Sequence, residues 1–154
     1  MGGEEKPRGP SLRERALKLL ARREHTRQEL ARKLSGHAED PGEIERTLAE
    51  CEARGWLSEK RVVEQAVHVR RARFGARRIE RDLLAKGVSG EAVAAAKSKL
   101  RESELEAARA VWRRKFGGRQ PHTPTERARQ ARFLQGRGFE LDVILRVLRG
   151  GDED

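Results

Sequence analysis

One spacing recurs three times along the chain and restricts the folds that it can adopt. In each copy, 14 residues separate an early anchor from a later aliphatic anchor, in the pairs Leu30 and Ile44, Ile79 and Val93, Gln130 and Ile144. Each early anchor is followed four residues later by a leucine, at Leu34, Leu83 and Leu134. A fixed period of about 50 residues predicts tandem copies of one supersecondary unit.

The hydrophobic pattern within each copy is helical. Leu, Val, Ile and Ala recur at spacings of three and four, and no run of alternating β-branched residues occurs. Thr26 with Glu29 predicts a capping box, and Asp40 with Pro41 predicts an N-cap followed by a first helical residue. Gly87 predicts a left-handed helix end after a helix that carries Ile79 and Leu83. We therefore predict nine helices and an all-α fold.

Nine helices divide into three tandem three-helix repeats. We place them at residues 11–57, 58–102 and 103–150, between a disordered tail at residues 1–10 and an acidic tail at residues 151–154. Each core is small, so neighbouring repeats must share buried surface, and this predicts an elongated, possibly curved array. Cys51, Trp56 and Trp112 lie beside apolar stripes and are expected in the cores.

Charge is the main functional signal. The chain has 35 Lys and Arg against 25 Asp and Glu, for a formal charge of +10. The charge is banded, with seven basic and two acidic residues between positions 70 and 86, and nine basic and one acidic between positions 109 and 137. A basic chain favours polyanions or acidic protein surfaces as partners.

Enzyme signatures are absent from the sequence. It contains no phosphate-binding glycine loop, no His-Glu-x-x-His pair and only one cysteine. We expect surface or capping roles for the four histidines, and we predict no catalytic residue, cofactor or metal. The sequence contains no run of about 18 apolar residues, so it predicts no membrane-spanning helix. The single cysteine favours a reducing compartment, and we expect a cytoplasmic protein.

Three segments carry a resemblance to a known family. They are Leu20-Ala-Arg-Arg-Glu-His-Thr-Arg-Gln-Glu-Leu30, Gly75-x-x-x-Ile79-x-x-x-Leu83-x-x-Lys86-Gly87-Val88, and Arg127-Ala-Arg-Gln-Ala-Arg-Phe-Leu-Gln-Gly-Arg-Gly-Phe139. In this order they resemble the repeat signatures of the bacterial recombination regulator RecX, over residues 12–149. Gly136 departs from the pattern, because the family often has arginine there.

The resemblance implies a non-enzymatic regulator of DNA repair, homologous recombination and the SOS response. Such a protein, expected to be a monomer, binds the groove of the RecA nucleoprotein filament and modulates, usually inhibits, its ATPase and strand exchange. From charge alone, solvated surface is an equal explanation of the arginine-rich helices. With the repeats and the resemblance, we predict a partner-binding role for seven arginines, Arg70, Arg71, Arg77, Arg78, Arg127, Arg129 and Arg132.

Two other functions stay open. Helices joined by a short turn at Gly75 also describe a helix-turn-helix DNA-binding protein. The segment from Ile79 to Lys86 lacks Asn, Gln, Ser and Thr, so such binding would be directed to phosphates and would depend steeply on salt. An adaptor for another acidic protein is supported by the charge only.

Overall fold

A computed structural model describes residues 9–150 as a helical protein. The helices are α1 Leu12–Arg22, α2 Arg27–Leu34, α3 Pro41–Ala53, α4 Glu59–Arg70, α5 Ala76–Ala85, α6 Gly90–Glu102, α7 Glu104–Phe116, α8 Pro124–Gly136 and α9 Leu141–Leu148. A 3₁₀ turn, Ser35–His37, follows α2. Residues 9–150 contain no strand, which confirms the all-α prediction. Apart from Gly9 and Pro10, the two predicted tails lie outside the described residues.

The chain divides into two compact units between Val62 and Val63, inside α4. The first unit contains α1 to α3, and the second contains α5 to α9. The repeat boundaries at residues 11–57, 58–102 and 103–150 stay a prediction. None of the helices in residues 9–150 is long and apolar enough to cross a membrane.

Side-chain caps begin most of the helices, as their sequences predict. In the capping box of α2, the Glu29 amide donates to Thr26 Oγ1 at 3.0 Å and the Thr26 amide donates to Glu29 Oε1 at 3.2 Å. Asp40 accepts from the Glu43 amide at 2.9 Å ahead of Pro41. Each cap gives a partner to a backbone donor that the first helical turn leaves free.

The first unit has one hydrophobic core, built on α1, α2 and α3. Its buried members are Leu12, Ala16, Leu30, Leu34, Leu48, Cys51 and Leu57. Trp56 packs against this core from its edge, because its ring is only half-buried and is flanked by the guanidinium groups of Arg13 and Arg54, each 5.2 Å from the ring centre. The prediction of a core position therefore holds in part for Trp56 and fully for Cys51.

The second unit buries the anchors of the second and third predicted repeats. Ile79 and Leu83 of α5 are buried, as are Val88, Val93 and Leu100 around α6. The helices α7, α8 and α9 enclose a larger core of Ala108, Val111, Trp112, Leu134, Phe139, Ile144, Val147 and Leu148.

Two helix ends in this unit share one geometry. Gly87 and Gly138 have φ angles of 94° and 93°, a region that residues with a Cβ atom rarely occupy. The next residue then folds back onto the core: the Val88 amide donates to the Leu83 carbonyl at 3.0 Å, and the Phe139 amide donates to the Leu134 carbonyl at 3.2 Å. In the first copy Ala38 stands at this position, and α2 ends in the 3₁₀ turn instead.

Replacing Thr26 by alanine should destabilise the first unit. The substitution removes an acceptor at the start of α2 and breaks the capping box, so the free energy of unfolding should fall by about 1 kcal/mol. Urea denaturation followed by circular dichroism measures it. Thr125→Ala, an exposed position inside α8, is the matched control and should leave the midpoint nearly unchanged. Equal midpoints for the two variants would contradict the role of the cap.

Candidate partner-binding surface

The first turn of α5 lies directly against the turn that joins α8 to α9. The Gly75 amide donates to the Arg137 carbonyl at 2.8 Å, and the Arg77 amide donates to the Gly138 carbonyl at 3.2 Å. A Cβ atom on Gly75 would overlap the Gly138 carbonyl group, and one on Gly138 would overlap Arg78. The two backbones can approach this closely only because both positions are glycine.

A buried carboxylate holds the same helix end from the other side. Glu104, at the start of α7, is 3% exposed, and its two carboxylate oxygens each accept from the Ala76 amide at 3.2 Å. Arg71 pairs with Glu104 at 2.8 Å and also donates to Ser103 Oγ and to the Leu100 carbonyl. Ser103 immediately precedes α7, yet its hydroxyl makes no cap bond there and accepts from Arg71 instead.

Three guanidinium groups surround the ring of Phe74, just before Gly75. Those of Arg70, Arg78 and Arg137 lie 4.8, 5.0 and 5.5 Å from its centre. Asp82 neutralises part of this charge, because its Oδ2 lies 2.6 Å from Arg70 and 3.2 Å from Arg78. Such contacts fix the guanidinium planes against the ring.

An open groove lies beside this cluster, between α5 and the turn after α8. Leu84 and Phe139 supply apolar surface, and the remaining lining is polar or glycine, namely Arg77, Arg78, Glu80, Arg81, Gln135, Gly136 and Gly138. Arg77 is 65% exposed, and its Nε lies 3.8 Å from the Glu140 carboxylate. Leu84 is 50% exposed, so its side chain is available at the surface of the groove. We call this the α5 groove.

The arginines of α8 are presented differently. Arg127, Arg129 and Arg132 are exposed, while the buried side of the helix is occupied by Gln130 and Leu134. Gln130 accepts from the Trp112 indole at 2.9 Å and donates to the Arg119 carbonyl at 3.2 Å. This explains why an amide replaces the aliphatic anchor in the third copy: it satisfies a buried indole N–H.

The seven predicted arginines thus fall into separate groups. Arg77 and Arg78 line the α5 groove, with Arg70 joined to Arg78 through Asp82, while Arg129 lines a different depression with Lys115 and Arg119. The side chain of Arg71 is only 14% exposed, and its contacts within the unit account for its charge. Arg81, Leu84 and Phe139 were not among the predicted site residues, although Arg81 stands within the same basic band.

His25 is buried, which corrects the expectation of a surface position, while its ring contacts the carbonyl of Arg23, the C-cap residue of α1. Its ring is 1% exposed, with Nδ1 3.0 Å from the Arg23 carbonyl and Nε2 2.8 Å from Lys33 Nζ. Nδ1–H donates to the carbonyl in the neutral tautomer, so Nε2 is free to accept from the ammonium group. Burial lowers the pKa of His25 below its usual value.

Family models and curated relatives agree on what the chain resembles. The model of the first three-helix domain of RecX matches residues 13–51, and that of the third three-helix domain matches residues 102–148. The regulatory protein RecX of Leptothrix cholodnii is 53% identical over 94% of this chain and 91% of that protein. The chain belongs to the RecX family.

Further relatives and solved structures extend the comparison. The regulatory protein RecX of Ralstonia nicotianae is 44% identical over 95% of this chain and 92% of its own length. The crystal structure of RecX from Lactobacillus salivarius superposes with a TM-score of 0.76 at 17% identity, covering 90% of this chain and 92% of that one. A second crystal structure, of a regulatory protein RecX, gives 0.74 at 18% identity, covering 88% and 70%. These two structures share the fold.

Membership confirms the resemblance derived from residues 20–30, 75–88 and 127–139. The RecX relatives are named regulatory proteins. The partner, the direction of regulation and the contact residues belong to the proposal below.

Gly75→Ala should destabilise the second unit. The added methyl group overlaps the Gly138 carbonyl, so the backbones must separate, and overpacking of this kind costs about 1–3 kcal/mol. Urea unfolding followed by Trp112 fluorescence in a Trp56→Phe background measures the loss. Gly136→Ala is the control, because a Cβ atom there meets nothing within 4 Å. The control should be neutral or gain up to about 1 kcal/mol, and a harmless Gly75→Ala would contradict the close approach.

Stability should fall in mild acid because of His25. Its folded-state pKa is lowered, so the unfolded chain binds the proton more readily and stability rises with pH. The contribution is present above the ordinary pKa of 6.5 and is lost as pH falls below it. The urea midpoint should be measured as a function of pH between 5 and 7.5 for the parent and for His25→Gln, which keeps a donor and an acceptor. The midpoint of the variant should depend less on pH than that of the parent. Parallel profiles would refute this assignment.

Proposed function

We propose that this chain binds the RecA nucleoprotein filament and lowers its DNA-dependent ATPase and strand exchange. Family membership carries the proposal, because RecX relatives match 94–95% of this chain and the RecX family implies regulation of RecA. Two further features support it: the positive charge concentrates in bands of the second unit, and the signature residue Gly75 lies against Gly138, which lines the α5 groove.

The proposed contact surface consists of the exposed and half-exposed arginines of the second unit. Arg77 and Arg78 would contribute from the α5 groove, and Arg127, Arg129 and Arg132 from α8. Arg70 lies behind them, where it shares Asp82 with Arg78. We leave Arg71 out of this surface, because a partly desolvated guanidinium that already pairs with the buried Glu104 has little left to offer a partner.

The proposed mechanism needs no catalysis by this chain. A protein lying in the filament groove would obstruct the entry of duplex DNA and would change the contacts between neighbouring RecA subunits, where ATP is hydrolysed. Turnover would fall without any contact to the nucleotide. The open shape of the α5 groove is consistent with a surface that meets another macromolecule rather than enclosing a small substrate.

Sequence-specific DNA recognition by a helix-turn-helix is a weaker candidate. In that motif the first residues of the recognition helix contact base edges in the major groove. The corresponding end of α5 is engaged within the protein, because Glu104 accepts from the Ala76 amide and the Gly138 carbonyl accepts from the Arg77 amide. A phosphate-directed contact with DNA remains compatible with the exposed arginines.

The direct test is the DNA-dependent ATPase of RecA filaments assembled on single-stranded DNA. Added protein should lower the hydrolysis rate to a plateau, with a half-maximal concentration that reports its affinity for the filament. An unchanged rate at saturating protein would refute the proposal. Tight binding to naked DNA at physiological salt, with no additional binding to RecA filaments, would favour the DNA-binding alternative.

Removing charge from α8 should weaken this inhibition selectively. In the triple variant Arg127→Ala, Arg129→Ala, Arg132→Ala, the half-maximal concentration should rise about tenfold, since three exposed ion pairs are each worth up to about 1 kcal/mol. The control Arg27→Ala, Arg46→Ala, Arg54→Ala removes the same charge from positions that are ion-paired in the first unit. Helical content should be unchanged in both, and equal loss in the two would show that α8 is not the contact surface.

A further inference from the structure

Positive charge in the second unit is balanced unevenly. Arg70, Arg71 and Arg78 each lie within 2.6, 2.8 and 3.2 Å of a carboxylate oxygen. Between positions 109 and 137, by contrast, nine basic residues accompany a single acidic one, Glu126. That carboxylate is engaged locally, because Glu126 Oε2 accepts from the His122 amide at 2.9 Å ahead of α8. The end of α7 and most of α8 therefore carry charge that this segment does not offset.

Three of these cations meet around one depression. Lys115 at the end of α7, Arg119 in the following loop and Arg129 of α8 all line it, and all three are exposed. Within residues 9–150, none of the three takes part in an ion pair; Lys115 Nζ lies over the uncharged ring of Phe133, 5.3 Å from its centre. Converging like charges repel, so a negative group is favoured here. We call this the α7–α8 depression.

The loop that carries Arg119 is held in place from within the unit. The buried Gln130 side chain donates to the Arg119 carbonyl at 3.2 Å, and the Arg119 amide donates to the Phe116 carbonyl at 3.2 Å. The backbone of this loop is therefore positioned by the packing of α7 against α8. A ligand that binds in the depression does not have to order the loop first.

The chain leaves α9 at the edge of the same depression. Helix α9 ends at Leu148, and the Gly150 amide donates to the Val147 carbonyl at 3.3 Å. Gly150 has a φ angle of 70°, and a Cβ atom there would overlap the side-chain amide of Gln120. Gln120 itself lines the α7–α8 depression. The residues that follow Gly150 therefore start beside the three cations.

We propose that the acidic segment 151–154 folds back into the α7–α8 depression and shields it. The segment reads Gly-Asp-Glu-Asp, so it brings three carboxylates to three permanent cations. Four extended residues reach about 13 Å, which brings these carboxylates within range of side chains that share the depression with Gln120. A segment tethered this closely has an effective concentration in the millimolar range, so weak exposed ion pairs suffice to hold it.

Helix stability does not explain the three carboxylates. The end of a helix carries a partial negative charge, which cations complement and anions do not. Asp152, Glu153 and Asp154 follow α9 directly, where the helix dipole gives acidic groups no advantage. The cations of the α7–α8 depression supply the attraction that α9 does not.

A segment bound in this way regulates access to the surface proposed above. This regulation rests on the proposed function, because Arg129 belongs both to the depression and to the proposed contact surface for the RecA filament. While the segment covers Arg129, the α8 arginines are not all available. The apparent affinity for the filament then falls in proportion to the fraction of molecules in which the depression is open.

The contact itself is tested on the full chain without RecA. A water-soluble carbodiimide joins a lysine ammonium group to a carboxylate that touches it, and mass spectrometry of the digest identifies the pair. Lys115 should be joined to residues 152–154, and about 1 M NaCl should reduce the yield at least about fivefold because it screens exposed charges. Lys97 and Lys99, exposed on α6, should be joined to the segment far less.

An equal mixture of isotope-labelled and unlabelled chain separates a contact within one molecule from a contact between two copies. Cross-linked pairs should carry the same label on both peptides. Pairs of mixed label would assign the segment to a second copy and overturn the proposal. So would equal joining to Lys97, Lys99 and Lys115, or no joining to Lys115.

The regulatory consequence is tested with the DNA-dependent ATPase of RecA filaments. In Asp152→Asn, Glu153→Gln, Asp154→Asn the depression is open, so the half-maximal concentration for inhibition should fall at least about threefold. The matched control Glu91→Gln, Glu102→Gln, Glu106→Gln removes three exposed carboxylates from the same unit. Its half-maximal concentration should stay within about 1.5-fold of the parent, because exposed charges far from the contact are screened. Equal gains in both variants would show a net-charge effect and overturn the proposal.

A third variant separates shielding from attraction to the filament. Lys115→Gln, Arg119→Gln removes two cations that hold the segment but leaves the α8 arginines in place, so inhibition should strengthen although positive charge is lost. Weaker inhibition would overturn the proposal. The two proposals fail in different ways: a parent chain that does not inhibit RecA refutes the proposed function, and the cross-link then decides the contact alone. Inhibition by the parent without a cross-link to Lys115 refutes only the shielding.

Discussion

The contact of two backbones at Gly75 and Gly138 is the constraint on which the second unit depends. Two hydrogen bonds join the backbones: the Gly75 amide donates to the Arg137 carbonyl, and the Arg77 amide donates to the Gly138 carbonyl. They can form only because neither glycine carries a Cβ atom. The junction fixes the orientation of α5 against the α8–α9 turn, and with it the position of the side chains that follow Gly75. The shape of the α5 groove thus depends on the close contact of the two backbones, and the arginines that line the groove are positioned by it.

Arginine has two different roles in this chain. Where the guanidinium is partly desolvated, its partners lie within the unit: Arg71 pairs with Glu104 and donates to the Leu100 carbonyl near the end of α6, and Arg70 and Arg78 lie over the Phe74 ring. Where it is exposed, as in α8, no local partner is required. The planar guanidinium group, with its five donors, suits both settings. Basic composition alone cannot separate the two roles.

Sequence periodicity predicted the elements well because helix caps and hydrophobic stripes are local signals. The Thr26–Glu29 box, the Asp40–Pro41 start and the Gly87 end are all set by residues within a few positions of one another. Burial of Ile79 and Leu83 also followed from their spacing. The repeat alignment even placed Gln130 at an anchor position, although only the structure shows the Trp112 indole that requires it.

The site was less predictable because it depends on distant partners. Nothing near Arg71 in the sequence indicates Glu104, which lies 33 residues away. His25 has no apolar neighbour pattern that distinguishes it from an exposed histidine, yet it is almost fully buried. Arg71 also donates to the hydroxyl of Ser103, 32 residues away. Long-range pairing therefore decides which charges are available to a partner.

The position of the single cysteine gives the first unit a built-in chemical reporter. Cys51 is fully covered by its neighbours, and burial raises the pKa of its thiol, so the reactive thiolate is scarce while the unit is closed. A maleimide or disulfide reagent can reach the sulfur only when the helices separate. The rate of modification then measures how often the first unit opens, while the second unit, whose sequence has no cysteine, stays silent to the reagent.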